Sequence, residues 1–343
     1  MYLGIEIGGT KLQLGVGAGD GTPLTAIERF DVDSKQGATG ILRRIEVSAA
    51  TLIHRYDVTA VACGFGGPVD VARGRVIKSH HVEGWDDFPL ADWLRQTFER
   101  PSLLANDADT AGLAEALFGA GRGKSPVFYV TVGTGIGGGL IIGGEIYRGS
   151  GAGAVELGHL RPGLLADRPD QIVEALAAGW GIASAAQARL SGPTIHPLGQ
   201  LMAGRRPLRP ETVRQRLIEA EEAAEEHTAD LFERCEGSVD RLTTKMVAQA
   251  AQEGNAVAQE VLHHAIEALG WAIAQAVTLL APQTVVIGGG VSLIGEQQFF
   301  QPLREQVNRY VFPALIGAFD IQPAQLGEEM VVHGALALAR RAK

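Results

Sequence analysis

The chain has 343 residues, more than a single hydrophobic core usually supports, so two domains of ordinary size are expected. Apolar residues make up 46% and charged ones 20%, which excludes a disordered or collagen-like chain, and 45 glycines suggest several tight backbone loops. A net charge of -9 without a clustered basic face argues against nucleic acid and leaves small molecules or other protein subunits as partners.

The N-terminus carries no basic leader and goes straight into a strand, and no apolar run reaches the roughly 20 residues of a membrane span, which predicts a cytoplasmic protein. Residues 2–16, YLGIEIGGTKLQLGV, alternate apolar positions on both sides of Gly8-Gly9-Thr10-Lys11. Leu3, Ile5 and Ile7 share a face before the bend, and Leu12, Leu14 and Val16 share one after it. Such a bend is a hairpin turn, or it is a phosphate-cradling loop whose glycines permit positive φ and expose N–H groups beside a hydroxyl, a lysine and Glu6. Val58 to Phe65 reads as a buried strand entering the turn Gly66-Gly67-Pro68, and Pro89 to Glu99 as a helix around Leu90, Trp93, Leu94 and Phe98. Ser102 to Ala105 is then a short strand, Asn106-Asp107 a junction, and Ala108 to Gly119 an alanine-rich helix. In open α/β sheets such carboxyl ends of strands are where ligands bind.

Residues 127–147, VFYVTVGTGIGGGLIIGGEIY, repeat the opening pattern about 125 residues later, with a Gly/Thr loop from Gly133 to Gly139 between two apolar runs. That spacing is too long for a solenoid and points to duplicated domains. Farther on, Ile172 to Leu190 reads as a helix, 191–215 as a Pro, Gly and Arg-rich loop, and Glu219 to Asp230 as a charge-dense helix with a solvated acidic face. Val257 to Leu280 is a long helix closed by Pro282; its neighbours His263 and His264 cannot share one helix face and are read as structural. Thr284 to Ile287 is a buried strand running into Gly288-Gly289-Gly290, and Val331 to Arg341 is a terminal helix. Alternating strands and helices predict an α/β architecture.

GTGIGG at 133–138 formally matches a dinucleotide fingerprint, but Leu140-Ile141-Ile142 after it is strand-like where that motif needs a helix. Neither loop has P-loop spacing. Two Gly/Thr loops, one per domain, would instead grip a polyphosphate from both sides of a cleft. Asp107 reads either as the cap of the following helix or as a base that takes a proton from a substrate hydroxyl, with Asn106 holding the same hydroxyl. Glu156 and His159, three apart in GAGAVELGHL, lack the Cys or second His a metal site requires and suit hydrogen bonding to a polyhydroxylated ligand. Only Cys63 and Cys235 occur, with no CxxC, so cysteine usage gives no disulfide framework and no structural zinc site, and it fits a reducing compartment.

EIGGTK, Asn106-Asp107 before an alanine-rich helix, GTGIGGG, ELGH and VVIGGGVS together resemble the ROK family of repressors, uncharacterised reading frames and sugar kinases, nearest its glucokinase-like members and over nearly the whole chain. The resemblance implies an actin-like ATPase (ribonuclease H-like) fold of two duplicated α/β domains around a cleft, with a small domain of residues 1–108 plus 330–343 and a large one of 109–329. It implies ATP and Mg²⁺ between the domains and a hexose deeper in the cleft. Asp107 is then the catalytic base, and Gly66, Pro68, Asn106, Asp107, Glu156 and His159 lie at the sugar. Gly8, Gly9, Thr10 and Lys11, with Gly133, Thr134 and Gly135, bind phosphates, and Gly288, Gly289 and Gly290 lie against the adenosine.

Two departures stand out. The family's first loop usually begins with Asp, whereas here it is Glu6, near which Mg²⁺ would be held mainly through ATP phosphates and water. The cysteine-rich zinc segment after ExGH is replaced by LRPGLLADRPDQIV, so no zinc is expected. VEALAAGWGIA resembles the family's sequence just after that segment and gives Glu174 the sugar role or that of an exposed helix glutamate. Residues 193–241 are an insertion relative to compact members. The reading that results is an ATP-dependent hexose kinase acting on the 6-OH of glucose or a close relative, in a homodimer or homotetramer. The alternative is a catalytically idle sugar-binding or regulatory member without a DNA-binding domain.

Overall fold

The computed structural model describes residues 1–79, 82–149, 153–163, 171–191 and 224–342. A first sheet is built from β1 (Tyr2–Ile7), β2 (Lys11–Gly17), β3 (Ala26–Asp31), β4 (Ala60–Phe65) and, beyond the small hairpin of β5 (Val69–Asp70) and β6 (Arg75–Val76), β7 (Ser102–Asn106). A second contains β8 (Val127–Val132), β9 (Ile136–Ile142), β10 (Glu145–Ile146), β11 (Thr284–Gly288) and β12 (Asp320–Pro323). Their strand orders are β3-β2-β1-β4-β7 and β10-β9-β8-β11-β12. In each sheet the first three strands run antiparallel and the last two join in parallel. Strands β1 and β8 start 125 residues apart, and so do β2 and β9. This duplicated arrangement, with helices on both sides of each sheet, is the actin-like ATPase fold.

Strand alternation sorts the side chains into three cores. Leu3, Ile5 and Ile7 of β1 point outward beneath α1 (Gly37–Tyr56) and α2 (Leu90–Phe98). Phe128, Val130 and Val132 of β8 point outward to the helix Ala256–Leu280. Between the sheets lie α3 (Asp107–Phe118) and the terminal helix Met330–Ala339, in a third core dominated by small residues such as Ala60, Ala62, Ala105 and Ala335. Each fully buried Leu, Ile or Val contributes roughly 1.5–3 kcal/mol of transfer free energy.

Glycines form the tight loops expected from composition, with left-handed backbone at Gly143, Gly144 and Gly289, and others serve this middle layer. An ideal Cβ on Gly15 of β2 would stand 2.4 Å from Val332 Cγ1, and one on Gly334 would stand 1.9 Å from the carbonyl oxygen of Thr110. Backbone therefore meets backbone where α3 and the terminal helix cross. The expected helix from Ile172 to Leu190 is two helices, α4 (Val173–Ala177) and α5 (Gly179–Ser191), because Ala178 takes an extended ψ of 164°. The long helix near Val257 and the terminal helix occur as expected, and His264 lies on the solvent side of the former, 3.5 Å from Glu260. Residues 224–234 are helical; the rest of the expected 191–215 loop beyond Ser191, and residues 219–223 of the charged segment, lie outside the described residues.

Candidate active site in the interdomain cleft

The first turn is closed by its own atoms. The Gly8 N–H donates to the Lys11 carbonyl at 2.9 Å, Lys11 Nζ stands 3.3 Å from Glu6 Oε1, and Gln13 Nε2 donates to Glu6 Oε2 at 2.8 Å. Gln13 also donates to the Glu328 carbonyl at 3.0 Å and accepts from Arg29 Nε at 3.1 Å. Glu6 is 5% exposed, and burial raises its pKa against the opposing pull of Lys11 and Gln13.

Asp107 meets this turn across Gly66. The Gly66 N–H donates to the Ile7 carbonyl at 2.8 Å, and an ideal Cβ on Gly66 would stand 3.2 Å from Asp107 Oδ2 and 3.4 Å from Gly8 Cα. The cap of α3 is Asn106: its Oδ1 accepts from the N–H groups of Ala108 at 2.9 Å and Asp109 at 3.2 Å, and its Nδ2 donates to the Gly67 carbonyl at 3.0 Å. Asn106, not Asp107, is therefore the N-cap residue, and Asp107 is the first residue of α3. Its Oδ1 accepts from the Ala108 N–H at 2.8 Å, yet burial, with the charges of Glu6 and Glu156 adding to it, pushes its pKa up to about 7.

Beside Asp107 lies a cavity of about 420 Å³ lined by Pro68, Asp70, Asn106, Asp109, Arg148 and Glu156, among others. Asp109 escaped the sequence reading. Burial raises its pKa to about 7, opposed by Arg148 and reinforced by Glu156 and Asp107. Its signal was the spacing: it follows Asn106 by three residues and so shares that face of the helix start. Glu156 precedes the single 3₁₀ turn Leu157–His159, and the His159 N–H donates to the Glu156 carbonyl at 3.1 Å. Asp107, His159 and Glu174 do not line the cavity. Val155, a β-branched residue, holds a left-handed φ of 63° immediately before Glu156.

The second turn is held from outside. The Gly133 N–H donates to the Gly135 carbonyl at 2.9 Å, the Gly179 N–H donates to the Gly133 carbonyl at 2.8 Å, and Glu174 Oε2 accepts from the Ile136 N–H at 2.8 Å. An ideal Cβ on Gly135 would stand 2.8 Å from that same Glu174 oxygen. The third glycine loop packs against this turn: Gly289 has a φ of 89° with Val132 O 2.5 Å from its ideal Cβ, and Gly290 N is 4.0 Å from an ideal Cβ on Gly133. Gly288 faces the Tyr129 hydroxyl, 2.6 Å from its own ideal Cβ.

None of Gly8, Gly9, Gly133 and Gly135 has positive φ, so close approach rather than left-handed backbone explains glycine at Gly8 and Gly135. Strand β9 crosses the start of α3, where an ideal Cβ on Gly137 would stand 3.2 Å from Ala108 Cβ, and this crossing brings the two halves of the site together. The structure thus gathers Glu6, Gly8, Gly66, Asn106 and Asp107 into one group and Gly133, Gly135, Glu174, Gly289 and Gly290 into another. Among the described residues no cluster of three or more His, Cys, Asp or Glu side chains is arranged to hold a metal ion. Among them, too, no helix is long and apolar enough to cross a membrane.

The ROK family model matches residues 2–342. A glucokinase of Thermotoga maritima is 28% identical over 340 residues, covering 98% of this chain and 96% of that protein. Among solved structures, a ROK family glucokinase from Streptomyces griseus in complex with glucose and AMPPNP superposes with a TM-score of 0.75, at 30% identity over 99% of both chains. A ROK hexokinase from Thermus thermophilus superposes with a TM-score of 0.73, at 28% identity over 98% of this chain and 97% of the other. The chain belongs to the ROK family.

Proposed function

We propose that the protein is an ATP-dependent sugar kinase that transfers the γ-phosphoryl group of ATP to a hexose hydroxyl, the 6-OH of glucose or a close relative. The observation that carries this reading is Asp107, next to the N-cap Asn106, its pKa raised to about 7 and its carboxylate set across Gly66 from the first glycine turn. A carboxylate so tuned accepts the proton of an alcohol as its oxygen attacks phosphorus. The relatives named glucokinase and the glucose and AMPPNP complex support both substrates.

In this mechanism the hexose occupies the cavity beside Asp107, where Asn106 and Glu156 hold its hydroxyls and Pro68 lines one wall. The family resemblance adds Gly66 and His159 to its surroundings, and seating the sugar against Asp107 and His159 requires the cleft to close on it. The turns Gly8 to Lys11 and Gly133 to Gly135 receive the phosphates, and Gly288 to Gly290 lie against the adenosine. Lys11 contributes positive charge near the transferred group. Both oxygens of Glu6 are engaged by Lys11 and Gln13, so Mg²⁺ would be held mainly by the ATP phosphates and water near Glu6, and when bound it would supply charge neutralisation at the phosphoryl oxygens. Closure of residues 1–108 and 330–343 upon 109–329 excludes water from the acceptor position.

The test is ADP release from Mg-ATP with glucose, mannose, fructose, allose, N-acetylglucosamine and N-acetylmannosamine, the Asp107→Asn variant run beside the parent. Turnover with one sugar, lost by orders of magnitude in a variant that still binds ATP, supports the reading. ATP binding without turnover on any sugar overturns it in favour of an idle binder.

A further inference from the structure

Glu174 stands at a junction that the kinase reading alone leaves unexplained. It lies in the first turn of α4, whose Val173 N–H donates to the Leu160 carbonyl at 2.9 Å, one residue beyond the Leu157–His159 turn. On that side Gly158 leaves no room for a methyl group: an ideal Cβ there would stand 3.3 Å from Glu174 Cβ and 2.4 Å from the Ile136 carbonyl oxygen. On the other side Glu174 Oε2 accepts the Ile136 N–H at 2.8 Å and lies over Gly135. The break between α4 and α5 serves the same turn, since the Gly179 N–H it frees donates to the Gly133 carbonyl at 2.8 Å. A carboxylate that accepts a backbone N–H forms one of the stronger kinds of hydrogen bond, and the close contacts leave no slack between the two turns.

We propose that Glu174 is a positioning residue that couples the hexose side of the cleft to the nucleotide side, its carboxylate holding the Gly133–Ile136 turn in the shape that receives the ATP phosphates. Hexose seated against Glu156, which lines the cavity, fixes the start of the 156–159 turn, whose His159 N–H donates to the Glu156 carbonyl. That turn bears on Glu174 and Ile136 through Gly158, so the hexose raises the affinity for nucleotide. This deepens the kinase reading and rests on it.

The test titrates AMPPNP calorimetrically into the parent, E174A, E174D and E174Q, with and without saturating glucose or whichever sugar the turnover panel identifies, and follows the thermal midpoint of each. In the parent the sugar tightens AMPPNP binding. E174A and E174D, the latter one methylene too short to reach Ile136, lose about tenfold in AMPPNP affinity and most of the sugar effect. E174Q, whose amide oxygen still accepts the N–H, recovers the larger part of both, a rescue that a general loss of stability does not produce. If E174A and E174D fold and lose affinity for sugar alone, or if sugar leaves AMPPNP affinity in the parent unchanged, the coupling role is overturned while the kinase reading stands. A parent that binds no AMPPNP overturns both.

Discussion

The two glycine turns occupy the same place in two copies of one sheet, 125 residues apart, and they differ in the chemistry that holds them. The first carries its own charge: Glu6, Lys11 and Gln13 on its hairpin supply an ion pair and a hydrogen bond, while Arg29 and Glu328 brace Gln13 from neighbouring elements. The second has Thr131, Ile136 and Gly138 at the matching positions and is held by Glu174 and Gly179 from other elements. Duplication preserved the scaffold while the charged chemistry stayed with the first half, where Asp107 also sits. The second half offers a neutral cradle whose shape is imposed from outside.

The strongest way to break that assignment is Asp107→Asn. If the chemistry belongs to the first half, kcat falls by about a thousandfold or more while AMPPNP binding persists. Parent kcat should rise with pH through about 7 and level above it, because Asp107 acts only when ionised and burial raises it to about 7. The stability sign is opposite. An unfolded aspartate titrates near about 4, so the stabilisation by the folded, protonated form is complete below that pH and lost as pH rises through about 7. Asp107→Asn should therefore melt higher than the parent at about pH 8 and close to it at about pH 4.

Gly334→Ala probes the seam between the halves. A methyl group there would lie 1.9 Å from the Thr110 carbonyl oxygen, and denaturant unfolding should show a loss of about 3 kcal/mol or more. Glu6→Gln tests whether the charge of the first turn matters: kcat should fall by about 10- to 100-fold, with a smaller change in hexose KM. An unchanged kcat would make the charged turn no different in function from the neutral one. The smallest effect is expected at Val155→Gly, where relief of left-handed backbone at φ 63° is offset by lost packing against the core and by glycine's entropy, so denaturant unfolding should change by less than about 1 kcal/mol.

This asymmetry also decides what was legible in the sequence. The 8–11 hairpin, the Asn106-Asp107 junction and the start of α3 are fixed by neighbours within a few residues, so alternation and capping chemistry expose them. Which of Asn106 and Asp107 caps the helix was not legible, because both suit the position and the Gly67 carbonyl that orients Asn106 comes from a different strand end. The clamp on the second turn is invisible for the same physical reason, since Glu174 reaches Ile136 across 38 residues of chain, whereas Gly179 at the break after Ala178 was a local signal. Glycine was legible as loops and silent about packing. The sequence reports that a side chain is missing, and it does not report that Gly15 makes room for the terminal helix or that Gly334, on that helix, makes room for α3.

The crossing at Gly334 has a mechanical consequence. Where side chains separate two helices, a small displacement of one is absorbed by rotamer changes; where backbone touches backbone no such cushion exists. Thr110 lies one helical turn beyond Asn106, and its hydroxyl donates to the Asn106 carbonyl at 2.6 Å. A pull on the last dozen residues of the chain is therefore transmitted as by a lever to the turn that carries Asp107, with no compressible part between them.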